Sequence, residues 1–191
     1  MSKQNVFDNA QICKAGHVSN IYTKLHPECN VDHCIICPEE TISECPSCHA
    51  PIRGGYYSHE VWSTSYAGSI ISSQSSITRS RNHELTTLDS YQVPAYCHHC
   101  GQPYPWTESL LQEADTIIDS FDELTEEQRK LLKDKFPDLL TETPRTISSA
   151  LTFSKLINGL TSVGSAVGKG FLVSLLEKHV PETLFTLMQI R

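Results

Sequence analysis

Cysteine and histidine occur along this chain in four short pairs: Cys13-x-x-x-His17, Cys34-x-x-Cys37, Cys45-x-x-Cys48 and Cys97-x-x-Cys100. No other feature constrains the fold as strongly. Zinc takes about four soft or borderline donors at roughly 2.0–2.3 Å in a tetrahedron. Two cysteines separated by two residues present both sulfurs from one tight turn, so each pair is half a site and four pairs make two. The expected cofactor is therefore a pair of structural Zn²⁺ ions held by Cys13, His17, Cys34, Cys37, Cys45, Cys48, Cys97 and Cys100.

The spacing leaves two ways of pairing the halves. Sequential pairing gives two zinc ribbons in a row. Interleaved pairing, first with third and second with fourth, gives a cross-braced, RING-like unit. The 7-residue gap from Cys37 to Cys45 and the 48-residue gap from Cys48 to Cys97 fit two ribbons better. Gly101 follows Cys100 where a positive φ closes such a turn, and Gly16 sits where the chain must bend to return the His17 imidazole. Tyr56, Tyr57 and Tyr96 are expected to flank a β-hairpin between the two turns of the second ribbon. Pro38 stands where a glycine is expected after Cys37. Cys29 is left over and reads as a free, partly buried thiol, with Cys29 or His33 as the alternative ligand of the first site.

The cysteines end at position 100, and the character of the chain changes with them. Residues 1–107 read as the tandem zinc-ribbon region, a small zinc-stabilised β part. Its first site falls in about 10–40 and its second in about 41–107, with a Ser-rich insertion at about 67–92. Val61 to Tyr66 alternates like a strand. Residues 108–191 read as an all-α bundle. Leu110, Leu111, Ala114, Ile117, Ile118 and Phe121 share a face after a Ser109-x-x-Gln112 capping pattern. Thr125-x-x-Gln128 opens a second helix with Leu131 and Leu132 inward, stopping before Pro137. Pro144 suits the start of a third, running through Ala150, Leu151 and Leu156 to Gly159. Leu160–His179 and Glu182–Ile190 complete the bundle. Within it, residues 108–142 hold 4 basic and 11 acidic side chains and 143–191 hold 5 and 2, so the two stretches are expected to attract each other, with a partner for each as the alternative.

Several strings go beyond ligand spacing: Pro51-Ile52-Arg53-Gly54, Tyr96-Cys97-x-x-Cys100-Gly101-x-Pro103-Tyr104-Pro105-Trp106-Thr107, and Thr143-Pro144-Arg145-Thr146 followed by Ala150. With the four ligand pairs in order, they make the chain resemble a bacterial family of unknown function. In that family two zinc-ribbon units precede a helical C-terminal region. The resemblance covers most of the chain, implies the zinc ligands and implies no activity. Pro38 and the Ser-rich insertion depart from its pattern.

Function classes narrow by what is missing. Sites filled by four ligands argue for structural rather than catalytic zinc, which keeps a position open for water. His26-Pro27-Glu28 ahead of Cys34 has a zinc deaminase's outline without its Pro-Cys-x-x-Cys or its spacing. The glycines at 159, 164, 168 and 170 lack the Gly-Lys-Ser/Thr ending of a phosphate loop. A net charge of −7, made more negative by zinc-bound thiolates, opposes unspecific nucleic-acid binding. A local patch of Arg53, Arg79, Arg81, Tyr104 and Trp106 keeps that reading as the runner-up, although Tyr104 and Trp106 read first as packing. Leu156–Leu176, with Lys169 its one charge and a Gly164-x-x-x-Gly168 spacing, reads as a buried bundle helix, with membrane contact as the alternative. The expectation is a non-enzymatic adaptor or regulatory protein acting on a protein partner. RING-like assistance of group transfer comes third. The N-terminus shows no basic start with an apolar run behind it, and thiolate ligands suit a reducing compartment, so the expected location is the cytoplasm.

Overall fold

The computed structural model describes residues 2–61, 86–161, 163–180 and 182–188. The chain divides into two compact units, Met1–Gln102 and Pro103–Arg191. The first helix begins at Pro105, ahead of the helical period expected from Thr107.

In the first unit, β1 (Ser2–Asn9) pairs antiparallel with β5 (Arg53–Val61), from Ser2 opposite Val61 to Asn9 opposite Arg53. A second sheet sets β2 (Gln11–Cys13) between β3 (Val18–Asn20) and β4 (Thr41–Ile42). Strands of two and three residues carry no period, which is why alternation does not announce them. Ala10, Ile12, Ile21 and Ile52 are buried as this unit's apolar centre. Buried polar groups order the rest. The Asp8 carboxylate accepts from the backbone N–H of Asn9, Lys24 and Leu25 at 2.6, 3.1 and 2.9 Å. The Asn20 amide donates to His26 O and Asn30 Oδ1, each at 2.8 Å. These bonds hold the loop that delivers Cys34.

The hairpin expected between the Cys45–Cys48 and Cys97–Cys100 turns falls in part on residues 62–85, which lie outside the described residues. β5 finds its strand partner in the N-terminal β1. On the side of the later chain, the Thr86 N–H donates to Tyr56 O at 3.1 Å and the Tyr56 N–H to Thr86 Oγ1 at 2.9 Å. Val61 ends β5, whereas the rest of the expected Val61–Tyr66 strand and residues 67–85 of the Ser-rich insertion lie outside the described residues. Residues 86–92 are loop with a 3-10 turn at Leu88–Ser90.

The second unit contains α1 (Pro105–Asp119), α2 (Glu126–Lys135), α3 (Thr146–Asn158), α4 (Val163–His179) and α5 (Glu182–Met188). Its core is continuous, with Ile118, Phe121, Leu132, Phe136, Phe153, Ile157, Leu172 and Leu176 fully or almost fully buried. α1 packs on α2 and α4, α2 on α3, and α3 on α5. Pro105 occupies the first turn of α1, where its missing N–H is no loss, so Ser109-x-x-Gln112 lies inside the helix and is no cap. The Thr125 capping box forms as expected. Leu132 is buried on α2, but Leu131 and, on α3, Leu151 turn outward, since apolar composition alone does not choose between adjacent positions. α3 starts at Thr146, after a turn in which the Thr143 N–H donates to Thr146 Oγ1 and that hydroxyl to Thr141 O. Gly168 belongs to the bundle: a Cβ there would lie 2.6 Å from the Phe121 ring. Among the described residues no helix is long and apolar enough to cross a membrane. Arg145–Asp138, at 3.8 Å, is the ion pair that joins the acidic and basic stretches among the described residues.

Candidate metal centres

The three Cys-x-x-Cys turns are built to one plan. Each first cysteine donates its N–H to the carbonyl five residues on: Cys34 to Glu39 at 2.9 Å, Cys45 to Ala50 at 2.8 Å and Cys97 to Gln102 at 2.8 Å. In two turns the residue after the second cysteine also donates back to the first cysteine's carbonyl, His49 to Cys45 and Gly101 to Cys97, both at 2.9 Å. That bond is made with a positive φ, 73° at Gly101 and 59° at His49. Pro38 holds the same place in the remaining turn, where it has no N–H and a fixed negative φ, so the turn closes through Glu39 alone. Inside these turns backbone N–H groups point at sulfur: Ile36 to Cys34 at 3.3 Å and His99 to Cys97 at 3.4 Å. The Cys13–His17 turn bends through Gly16 (φ 91°), and the His17 N–H reaches Cys13 Sγ at 3.2 Å.

These turns bring the eight sequence-derived ligands together in two groups, Cys13/His17/Cys34/Cys37 and Cys45/Cys48/Cys97/Cys100, each with its donor atoms within 4.8 Å of one another. The grouping is sequential rather than interleaved. In the first group Cys13 Sγ lies 3.5 Å from His17 Nδ1 and 3.7 Å from Cys37 Sγ. His17 Nδ1 lies 3.3 Å from Cys37 Sγ and 3.8 Å from Cys34 Sγ. In the second group Cys45–Cys100 and Cys48–Cys97 are each 3.7 Å apart. Sulfurs so far apart are not bonded, since a disulfide needs about 2.05 Å. A tetrahedron with 2.3 Å arms has edges of about 3.8 Å, so these separations fit one metal ion in each group.

The electrostatics of the thiols point the same way. At Cys97 burial opposes ionisation, but N–H donation from Cys100 and His99 and S–H donation from the Cys45 and Cys48 thiols bring the thiol down to about 6. At Cys48 an Ala50 N–H favours the thiolate, yet burial and the surrounding Cys100, Cys97 and Cys45 sulfurs push it up to about 12. The first group divides likewise: Cys13 is raised, chiefly by burial, whereas Cys34, despite burial, is lowered by the N–H groups of Ile36 and Cys37. Adjacent thiolates hold each other's protons unless a cation joins them.

The residues held in reserve stay outside both groups. Cys29 is exposed rather than partly buried, because it sits on a surface 3-10 turn, Pro27–Cys29. His33 is exposed beside the first group, and His26 pairs with Glu28 at 3.1 Å. Of the aromatic patch, Tyr104 and Trp106 are buried and stacked on each other at 4.7 Å, while Arg53 is exposed over the Phe7 ring at 3.6 Å. Arg79 and Arg81 lie outside the described residues.

Residues 6–183 match the model of a family described as an uncharacterized protein conserved in bacteria (DUF2321). The chain belongs to this family. No curated protein and no solved structure matches it. The DUF2321 match takes in both metal-ligand groups and four of the five helices in full, so the two-unit organisation falls within it.

Proposed function

We propose that the chain is a non-enzymatic adaptor or regulatory protein whose N-terminal unit is a pair of tandem zinc ribbons and whose surface binds a protein partner. The observation that carries the reading is closure, four donors per group within 4.8 Å. Zinc at a catalytic site keeps a coordination position for water, and a complete Cys₃His or Cys₄ set offers none. When bound, zinc would supply the cation that lets neighbouring thiolates coexist: one ion would tie the Cys13 end of β2 to the Cys34 loop, and the other would tie the Cys45 turn to the Cys97 turn. Thiolate ligands persist in a reducing compartment, which supports a cytoplasmic location.

Nucleic-acid binding is the second reading, on the strength of exposed Arg53 lying over Phe7. Against it stand the burial of Tyr104 and Trp106, which cannot stack on bases, and the net charge of −7.

The test is metal content per chain on protein purified without added metal, repeated for Cys13→Ser and Cys97→Ser. Two zinc ions, with one lost in each variant, is the expected result; one or none sinks the two-ribbon reading. A salt-dependent mobility shift of labelled DNA or RNA would instead promote the second reading.

A further inference from the structure

The most exposed large apolar side chains of the described residues sit between two metal ligands. Ile35 is 89% and Ile36 67% exposed, at the tip of the Cys34–Cys37 turn. Isoleucines held out on a turn whose backbone is pinned to sulfur, with the Ile36 N–H on Cys34 Sγ, are costly to leave in water. Their surroundings are of one sign. Residues 25–52 contain Glu28, Asp32, Glu39, Glu40 and Glu44 and no lysine or arginine. Asp32 and Glu39, which flank the turn, are exposed. Lys14 answers Glu40 at 2.6 Å, and His26 meets Glu28, which leaves Asp32 and Glu39 as the acids facing outward beside the tip. A Cys₃His site adds a further negative charge when zinc is bound.

A face of the opposite kind lies on α3. Ile147 and Leu151, one turn apart, are 60% and 54% exposed, and Lys155 follows one turn further on the same exposed side. Arg145 at the start of the helix is also exposed, with only a 3.8 Å contact to Asp138. From Thr143 to Leu176 there are three basic residues, Arg145, Lys155 and Lys169, and no acidic one. Both faces stand uncovered in the same chain.

We propose that the Ile35–Ile36 tip of one copy docks on the Ile147–Leu151–Lys155 face of α3 in a second copy. Asp32 and Glu39 would meet Lys155 and Arg145 around an apolar centre. The occupant follows from charge complementarity, since apolar exposure flanked by exposed Asp32 and Glu39 on one face meets apolar exposure flanked by exposed Arg145 and Lys155 on the other. Each contact is small, so the association is weak and concentration-dependent. The inference rests on the zinc-held architecture and deepens the adaptor reading by naming one surface and its partner.

The test is sedimentation of the full-length, metal-loaded chain over a concentration series at about 0.05 M and about 0.5 M salt. The expected result is self-association that weakens at high salt and falls about tenfold or more in Ile36→Ser and in Leu151→Ser. Neither residue is a ligand or in the core, so both variants should keep two zinc ions and the parent's circular dichroism. Glu39→Lys should weaken association, and mixing that variant with Lys155→Glu should restore it. A metal-loaded chain that stays monomeric throughout overturns this contact and leaves the zinc reading standing. So does association indifferent to Ile36→Ser and Leu151→Ser, or abolished only by Phe171→Ser on α4. A chain that purifies without metal defeats the zinc reading and the rigid tip together.

Discussion

Gly54 shows how much a single missing Cβ decides. A methyl group there would fall onto the carbonyl oxygen of Ile21 and within 2.6 Å of the Asn9 carbonyl oxygen, both backbone atoms that cannot turn aside. Gly54→Ala is therefore expected to destabilise the first unit by about 2–3 kcal/mol in a denaturant titration of the holo chain. Gly170→Ala, with nothing within 4 Å of the new carbon on an exposed helix face, should instead gain up to about 1 kcal/mol. The Pro-Ile-Arg-Gly string can be singled out in the sequence, but its reason cannot: Ile52 is core and Gly54 is clearance, and both facts need the neighbouring strand. A second expectation at this scale concerns Tyr91, whose hydroxyl donates to Arg53 O at 2.6 Å and whose ionisation burial pushes up to about 12. In the unfolded chain a tyrosine ionises near its ordinary value of 10.0. The folded state thus holds the proton longer, and stability that is full below pH about 10 falls as pH rises toward about 12. Denaturant midpoints measured across that window should fall more steeply for the parent than for Tyr91→Phe.

Two helix starts separate a sequence pattern that forms a cap from one that does not. The Gln128 N–H donates to Thr125 Oγ1 at 3.3 Å and the Thr125 N–H to Gln128 Oε1 at 3.0 Å, so both orphan donors at the head of α2 are satisfied. Ser109 and Gln112 have the same spacing but lie inside α1, whose start Pro105 has already set. Thr125→Ala should cost about 1 kcal/mol, whereas Ser109→Ala at an exposed helix interior should be neutral or slightly stabilising. Thermal melts of the two variants side by side check the contrast. The cysteine turns give the same lesson: the Cys-x-x-Cys spacing states a local geometry outright, because one tight turn presents both sulfurs to the same side. The β1–β5 pairing has no such local marker, since the choice of partner for β5 depends on residues about 50 positions away in the chain.

Among the described residues the five α-helices lie in the second unit and the eight candidate ligands in the first. Among its described residues the first unit has few buried aliphatic side chains, chiefly Ala10, Ile12, Ile21 and Ile52, so on the proposed zinc reading the metal ions would hold its distant turns together. The second has a continuous core of its own. Chelation of the full-length protein should accordingly abolish amide-exchange protection in residues 2–61 and 86–102 while the helical circular dichroism persists. Loss of both together would mean that the helical core depends on the metal.

Sequence alone marked the eight candidate ligands, their sequential grouping as an expectation, and the passage from a cysteine-rich part to a helical one. Each follows from short-range rules: donor spacing, turn chemistry, and the apolar period of a helix. Tertiary structure decided that β5 pairs with the N-terminal strand, that Leu131 and Leu151 face outward, that Tyr104 and Trp106 are buried, and that Ile35 and Ile36 are not. Those outcomes turn on which distant surfaces meet. Burial belongs to a pair of surfaces, and the residues themselves carry only half of that information.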